Sequence, residues 1–296
     1  MSLRLVASLA VATAIAACSR SAPGVDGTPL VVAVPPTHAP ADRMALERAL
    51  STAAGTPVTV RVLPSQQALM ALAGSHQADA FLTPLFDYLF CAHEYGAHAV
   101  LQAVRAGGTR DYAGAIVVRR AAPVASLAAL AGQRVAFVDR YSTSGFILPT
   151  RLLILAGADV EPVFAGSPEA AVAELRAGTV AAAAVRSGLV ANADDLFVLA
   201  VTEPIPNEPV WVRPDLPQDA RDRLVRAFES LATTPDGRAA LAGVADIAAF
   251  APVSPDAFHD VHEAVEQIGK RVADLVPGGW WLHHQNAVHP GDLGPY

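Results

Sequence analysis

The chain is short of cysteine, aromatics and basic charge, and each shortage closes off a class of protein. Two cysteines in 296 residues allow no disulfide framework and no multi-cysteine metal centre. Aromatics make up 6% of the chain, so the core of this 52% hydrophobic sequence must be built from small aliphatic side chains. Lysine and arginine total 21 against 28 aspartate and glutamate, a net charge of -7, which excludes the basic surface that nucleic acid requires. No nucleophile–base pair, nucleotide-cradling loop or metal motif stands out, so no catalysis, cofactor or bound metal is expected. The length suits one large or two medium domains.

The N-terminus is informative. In "MSLRLVASLAVATAIAACSR" a single cation, Arg4, precedes an apolar run from Leu5 to Ala17. That run is shorter than the roughly 20 residues a membrane-spanning helix needs, and it fits a secretory signal. It ends in Ile15-Ala16-Ala17-Cys18, small residues before a cysteine, which resembles the bacterial lipobox. Residues 1–17 then read as a signal peptide, Cys18 as the lipidated first residue of the mature chain, and 18–28 as a tether. The expected location is the periplasm or the outer face of the cytoplasmic membrane. Cys91 is left without a disulfide partner.

From Pro29 onward short apolar runs alternate with amphipathic, capped helices: "PLVVAVP", "PADRMALERALSTAAG", "VTVRVL", "SQQALMALAG", "DAFLTP", "PLFDYLFCAHEYG". Such βαβα alternation predicts α/β architecture with mostly parallel sheets flanked by helices. Two segments interrupt it, "RAGGTRDY" (105–112) and the proline-rich "VTEPIPNEP" (201–209). As paired crossings they divide the chain into a first lobe (29–110), an inserted second lobe (111–203) and a return to the first lobe with a C-terminal tail (204–296). Ligands of open α/β sheets lie outside the strand C-termini, here at Pro35, Thr83 and Asp139.

The stretch "AFVDRYSTSGFILPTRLLILAG" carries the sharpest local signal. A strand ends in Asp139; then Ser142, Thr143 and Ser144 precede Gly145 and an apolar helical pattern. A helix N-terminus has unpaired N–H groups and partial positive charge, and three hydroxyls add donors. Gly145 is expected to clear the approach, giving an oxyanion cradle, with one hydroxyl serving as an ordinary N-cap.

"VAFVDRYSTSGFILPTRLLILAGADVEPVFAGSPEAAVAELRAG" and "EPIPNEPVWVRPDLP", with "ADAFLTPL", resemble the phosphate/phosphite/phosphonate substrate-binding proteins of ABC transporters from about Pro29 to about Ile268. The resemblance implies a two-lobed type II periplasmic-binding-protein fold, a small oxyanion in the interdomain cleft, an ABC permease as partner, and a monomer. It also implies departures: Asp87 stands where phosphonate binders usually carry tyrosine, Pro168 follows Gly166-Ser167 in place of histidine, and Ala181 replaces an acid. A charged Asp87 beside an anion would repel it. Asp87 and Cys91 share a helix face at i and i+4, so a thiol-held soft ligand is open beside a buried, inert cysteine. The related arsenite-sensing proteins, which depend on a cysteine and work with a histidine kinase, supply the alternative role. Thr37 and His38 lie near the expected cleft mouth, and Tyr88 and Tyr112 could line it. The expected ligand-binding set is therefore Thr37, Thr83, Asp87, Tyr88, Cys91, Ser142, Thr143, Ser144 and Gly145. In the tail, the spacing of His283, His284 and His289 fits no one-face metal site, and Trp280 and Trp281 are expected to pack on the body.

Overall fold

Each apolar run becomes a strand and each capped segment a helix in the computed structural model, which describes residues 27–121, 124–254, 256–267 and 269–287. The signal segment, Cys18, Pro255 and His289 lie outside the described residues. The order is β1 (Leu30–Val34), α1 (Arg43–Ala54), β2 (Val58–Val62), α2 (Gln66–Gly74), β3 (Ala80–Leu82), α3 (Leu85–Tyr95), β4 (His98–Arg105), β5 (Asp111–Tyr112) and β6 (Gly114–Arg119). Then come β7 (Arg134–Phe137), α4 (Leu148–Leu155), β8 (Glu161–Phe164), α5 (Pro168–Ala177), β9 (Ala182–Arg186), α6 (Ser187–Val190) and β10 (Leu196–Val201). The chain ends with β11 (Ile205–Pro206), β12 (Pro209–Val212), α7 (Gln218–Ser230), α8 (Pro235–Leu241), β13 (Ile247–Pro252), α9 (His259–Gln267) and α10 (Gly279–Ala287). Among these described residues no helix is long and apolar enough to cross a membrane.

Side-chain caps set the helix starts. Asp42 accepts from Ala45 N at 2.9 Å, and Ser65, Ser167 and Thr234 accept from the third residue beyond them at 3.0–3.1 Å. Such a cap contributes about 1 kcal/mol. Gly178 ends α5 at φ +78°, a left-handed conformation that β-carbons oppose.

Two sheets result. One has six strands in the order β13-β4-β12-β3-β1-β2, the other five in the order β10-β6-β9-β7-β8. The fold is thus two-lobed α/β, but each sheet is mixed rather than mostly parallel. β1 runs parallel to β2 and β3, and β7 parallel to β8 and β9. β12, β4, β13, β6 and β10 pair antiparallel. The cause is the crossing itself: strands that enter or leave a lobe return through the sheet in the opposite sense. β4, β13 and α8 lie outside the alternating runs read from the sequence.

The first lobe buries its sheet on both faces. Leu30, Val32, Val60 and Val210 pack with α1, α7 and α8; Phe81, Trp211 and Ala33 pack with α2, α3 and α9. The Phe81 and Trp211 rings stack at 4.0 Å and 6° across neighbouring strands. Ile147 and Leu148, from the second lobe, join the same buried cluster as Trp211 and Ile205, so the lobes share apolar packing.

Two crossings join the lobes, and they are stitched together. β5 pairs antiparallel with β11, placing Tyr112 opposite Ile205. Asn207, fully buried, donates Nδ2 to Ala103 O at 3.1 Å and Thr109 O at 3.0 Å. Its own N–H reaches Arg110 O at 2.9 Å. The Pro-Ile-Pro-Asn segment is therefore a clamp on the first crossing, which sets where the lobes meet.

Candidate functional site

The junction "YSTSG" folds differently from a plain helix start. Ser142 is the N-cap of a π-type turn, Thr143–Ile147, and α4 begins only at Leu148. Ser142 Oγ accepts from Gly145 N at 3.1 Å, and its carbonyl accepts from Phe146 and Ile147 N at 2.9 and 3.0 Å. Ser142 is the capping hydroxyl. Gly145 has a different reason from the one expected. A β-carbon there would lie 2.4 Å from Val138 Cγ2 and 2.7 Å from Ser142 Oγ. Glycine lets the turn close onto the end of β7; it does not clear a ligand path.

Thr143 faces the crossings. Its side chain hydrogen-bonds the phenol of Tyr112, which burial, then the Glu208 carboxylate, push up to about 12 against the opposing pull of Arg105, Arg186 and Thr143. The Tyr112 hydroxyl is thus a neutral donor or acceptor at any physiological pH. The Arg105 guanidinium sits over the Tyr112 ring at 5.7 Å. Its Nη2 donates to both Glu208 oxygens at 2.8 and 2.9 Å, while Nε and Nη1 are buried without partners.

His38 completes the first-lobe side. It is 4% exposed, with Nδ1 3.0 Å from Thr37 Oγ1 and Nε2 4.0 Å from Glu208. Burial lowers its pKa, opposed by Glu208 and assisted by Arg105, so it is neutral at pH 7. Where Thr37 donates to Nδ1, Nε2 carries the proton. From the second lobe, the exposed Arg186 ends β9 and forms no ion pair among the described residues. Thr37, His38, Glu208, Arg105, Tyr112, Thr143 and Arg186 thus form one continuous polar cluster where the lobes meet.

Other expected ligands lie elsewhere. Thr83 is fully buried: its hydroxyl accepts from Trp211 Nε1 at 2.9 Å and donates to Pro84 O at 3.1 Å. Tyr88 packs on Phe258 and Trp211 at 5.1 and 6.5 Å. Asp87 is 1% exposed and accepts from Gln66 Nε2 at 3.1 Å, between α2 and α3. Burial, only partly opposed by Gln66, raises its pKa to about 7. This eases the repulsion problem, because Asp87 is buried between helices, protonated in acid solution and about half ionised near pH 7. The folded state holds a proton the unfolded chain releases near 3.8, so Asp87 makes stability fall as pH rises from about 4 to about 7. Asp87→Asn should remove that part of the slope, gaining stability at pH 8 and little at pH 4, as urea midpoints at the two pH values would show; equal changes would contradict the assignment.

Cys91 is fully buried, and burial, then the Asp87 and Glu94 charges, push its thiol well above the ordinary range. It is a core residue, unsuited to hold a soft ligand as thiolate. A thiol reagent should label it only after denaturant is added; fast labelling of the native protein would overturn this. Trp280 and Trp281 also depart from expectation, at 54% and 50% exposed, while Leu282 between them and the histidines is buried.

Arg105, Glu208 and Arg186 went unread in the sequence. The first two are the charged residues bounding the crossings "RAGGTRDY" and "VTEPIPNEP", and Arg186 directly follows the apolar run "TVAAAAV". Charge placed at a crossing or a strand C-terminus is the signal that finds them.

The family model for the periplasmic substrate-binding protein of phosphonate ABC transporters matches residues 32–258. Among curated proteins none matches. Among solved structures, XAC2383 from Xanthomonas citri, bound to ATP, is similar at a TM-score of 0.69 and 20% identity, over 84% of this chain and 99% of that one. PhnD1 from Prochlorococcus marinus, in complex with methylphosphonate, is similar at 0.61 and 16% identity, over 83% and 100%. A binding protein component of an ABC phosphonate transporter from Pseudomonas aeruginosa is similar at 0.60 and 14% identity, over 88% and 96%. At these identities the likeness establishes the two-lobed fold.

Proposed function

The chain belongs to the phosphonate ABC-transporter family of periplasmic substrate-binding proteins, and on that premise we propose that it captures a small tetrahedral oxyanion, of the phosphonate, phosphite or phosphate class, at the junction between its lobes. As a member of that family it is an extracytoplasmic solute-binding protein of transport and not an enzyme. The observation that carries the choice of ligand class is Arg105. A guanidinium with two buried, unpartnered N–H groups is costly unless something accepts from them, and an oxyanion accepts from such a fork.

The first lobe and its crossing supply Arg105, Tyr112 and His38. The second lobe supplies Thr143, the Ser142 and Ser144 hydroxyls, and Arg186. The N–H groups of Thr143 and Ser144 open the π-type turn and have no hydrogen bond among the described residues. Donors on both lobes bind the anion better when the lobes close, so ligand shifts the open form toward the closed. The boundary between lobes lies at the crossings, near residues 110 and 203. Cys18 tethers the protein to the membrane, and an ABC permease receives the closed complex. The soft-ligand sensor alternative loses its support with Cys91 in the core.

A thermal-shift screen tests the ligand class. Phosphate, phosphite, methylphosphonate, aminoethylphosphonate, arsenite and sulfate are the probes. A bound oxyanion should raise the midpoint with dose, by an amount equivalent to about 2.7 kcal/mol at one hundred times Kd. Thr143→Val should weaken the hit while preserving the fold, because Ser142 and not Thr143 caps the turn. An unchanged affinity in Thr143→Val would remove the turn from the site.

A further inference from the structure

His93 and Glu94 lie at the end of α3, and His283 lies on α10, separated from Glu94 by 189 positions in the chain. The fold brings them together on the first lobe, in a cluster that shares no residue with the polar cluster at the crossings. One ligand atom from each falls within 4.8 Å of the others. His93 Nε2 is 3.7 Å from Glu94 Oε1, and His283 Nδ1 contacts that same oxygen. The Glu94 side chain is only 7% exposed, and its polar partners among the described residues are these two imidazoles. A nearly buried carboxylate flanked by two imidazoles, with no Arg or Lys bonded to it, is a donor set that a divalent cation can take.

We propose that His93, Glu94 and His283 form a binding site for one divalent cation of the zinc class. Two imidazole nitrogens and a carboxylate oxygen are ligands that zinc takes at about 2.0–2.2 Å, which places ligand atoms roughly 3.3–3.6 Å apart in a tetrahedron. Reaching that spacing takes rotation of the 68%-exposed His93 and opening of the direct His283–Glu94 contact, which a metal would replace. The fourth position falls to water. Calcium and magnesium, which demand oxygen ligands, are excluded by the two imidazoles. The recess beside the triad, about 180 Å³, is also lined by His262, Glu266, Lys270 and Arg271. Arg271 is engaged with Asp274 at 3.2 Å, and His262 faces Glu266 at 3.9 Å. Lys270, which has no ion-pair partner among the described residues, also lines the recess; as a like charge it weakens a bound cation, so the affinity rests on the three ligands.

The consequence is a metal clasp between α3 and α10. The tail histidines fit no site by their own spacing because two of the three ligands are distant in sequence. Unlike the oxyanion site, this one requires no movement of the lobes.

Tag-free, chelator-treated protein titrated with Co²⁺ tests the proposal. One equivalent should bind with visible ligand-field absorption, Zn²⁺ should displace it, and Zn²⁺ should raise the unfolding midpoint where Mg²⁺ and Ca²⁺ do not. His93→Ala and His283→Ala should each weaken Co²⁺ binding roughly tenfold or more, since even outer-shell losses cost 10–100-fold. His93 is exposed, so its variant keeps the fold, and His284→Ala should leave binding unchanged because His284 Nδ1 instead bonds Trp280 O at 2.6 Å. No saturable Co²⁺ binding, or binding indifferent to His93→Ala, would overturn the site.

Discussion

Arg105→Met is expected to lower oxyanion affinity by roughly 30- to 1000-fold, equivalent to about 2–4 kcal/mol. Arg105 Nη2 is already held by Glu208, so the fork is oriented before any ligand arrives. Its Nε and Nη1 are the donors left over. Removal has two effects of the same sign. It deletes two charge-assisted hydrogen bonds, and it leaves the Glu208 carboxylate, 15% exposed, facing an anion with nothing to neutralise it. Arg105→Lys should recover only part of the loss, because a point charge on a flexible stem cannot hold Glu208 and a ligand through a fixed fork. Glu208→Gln keeps an acceptor for Arg105 and removes the repulsive charge, so it should bind at least as well as the parent. Titration of the three variants with the best ligand from the screen distinguishes these outcomes; a methionine variant with parental affinity would place the anion elsewhere.

Arg213→Met should destabilise the fold by about 3–5 kcal/mol, the cost of leaving a buried charge without its partner. Asp79 is fully buried, and Arg213 is 4% exposed. Asp79 Oδ2 accepts from Val31 N at 2.8 Å and Oδ1 accepts from Arg213 Nε at 3.2 Å, tying β1, the start of β3 and the end of β12. Arg213 reaches on to Asp215 at 2.8 Å. Burial raises the Asp79 pKa, and the Val31 N–H and Arg213 oppose the rise. Without Arg213 the rise is larger. The folded variant then retains a proton that the unfolded chain releases, so its deficit grows as pH rises above the ordinary aspartate range. Urea midpoints at pH 5 and pH 8 should show the larger loss at pH 8, with an unchanged slope. Asp79→Asn combined with Arg213→Met removes both charges and should recover much of the stability, which a merely steric role for Arg213 would not allow.

Much of the fold was legible because its signals are local. The apolar runs "PLVVAVP", "VTVRVL" and "DAFLTP" became β1, β2 and β3, and the segments between them became helices started by side-chain caps at Asp42 and Ser65. The crossings were legible as interruptions in that alternation. Strand direction was not, since nothing local in "VWVRP" or "YAGAIVVRR" says that the chain re-enters a sheet antiparallel. The site divides in the same way. Thr143 and its neighbours announced themselves as hydroxyls at a strand–helix junction. Thr83 sits at a strand end as required, yet its hydroxyl is engaged by Trp211, a partner 128 positions away. Asp87 and Cys91 were correctly paired on one helix face, but that face looks into the core. Arg105 matters through Glu208, 103 positions distant, and the pairing of β5 with β11 together with the Asn207 hydrogen bonds brings the two crossings together.

The central claim is that both lobes hold one oxyanion at the crossings. Titration calorimetry of tag-free protein with the phosphonate, phosphite and phosphate panel, run beside the Arg105→Met and Thr143→Val variants, tests it most directly. One ligand should bind saturably at one site per chain, with affinity reduced by a variant on either lobe. Saturable binding that survives both substitutions, or no binding of any tetrahedral oxyanion, would contradict it.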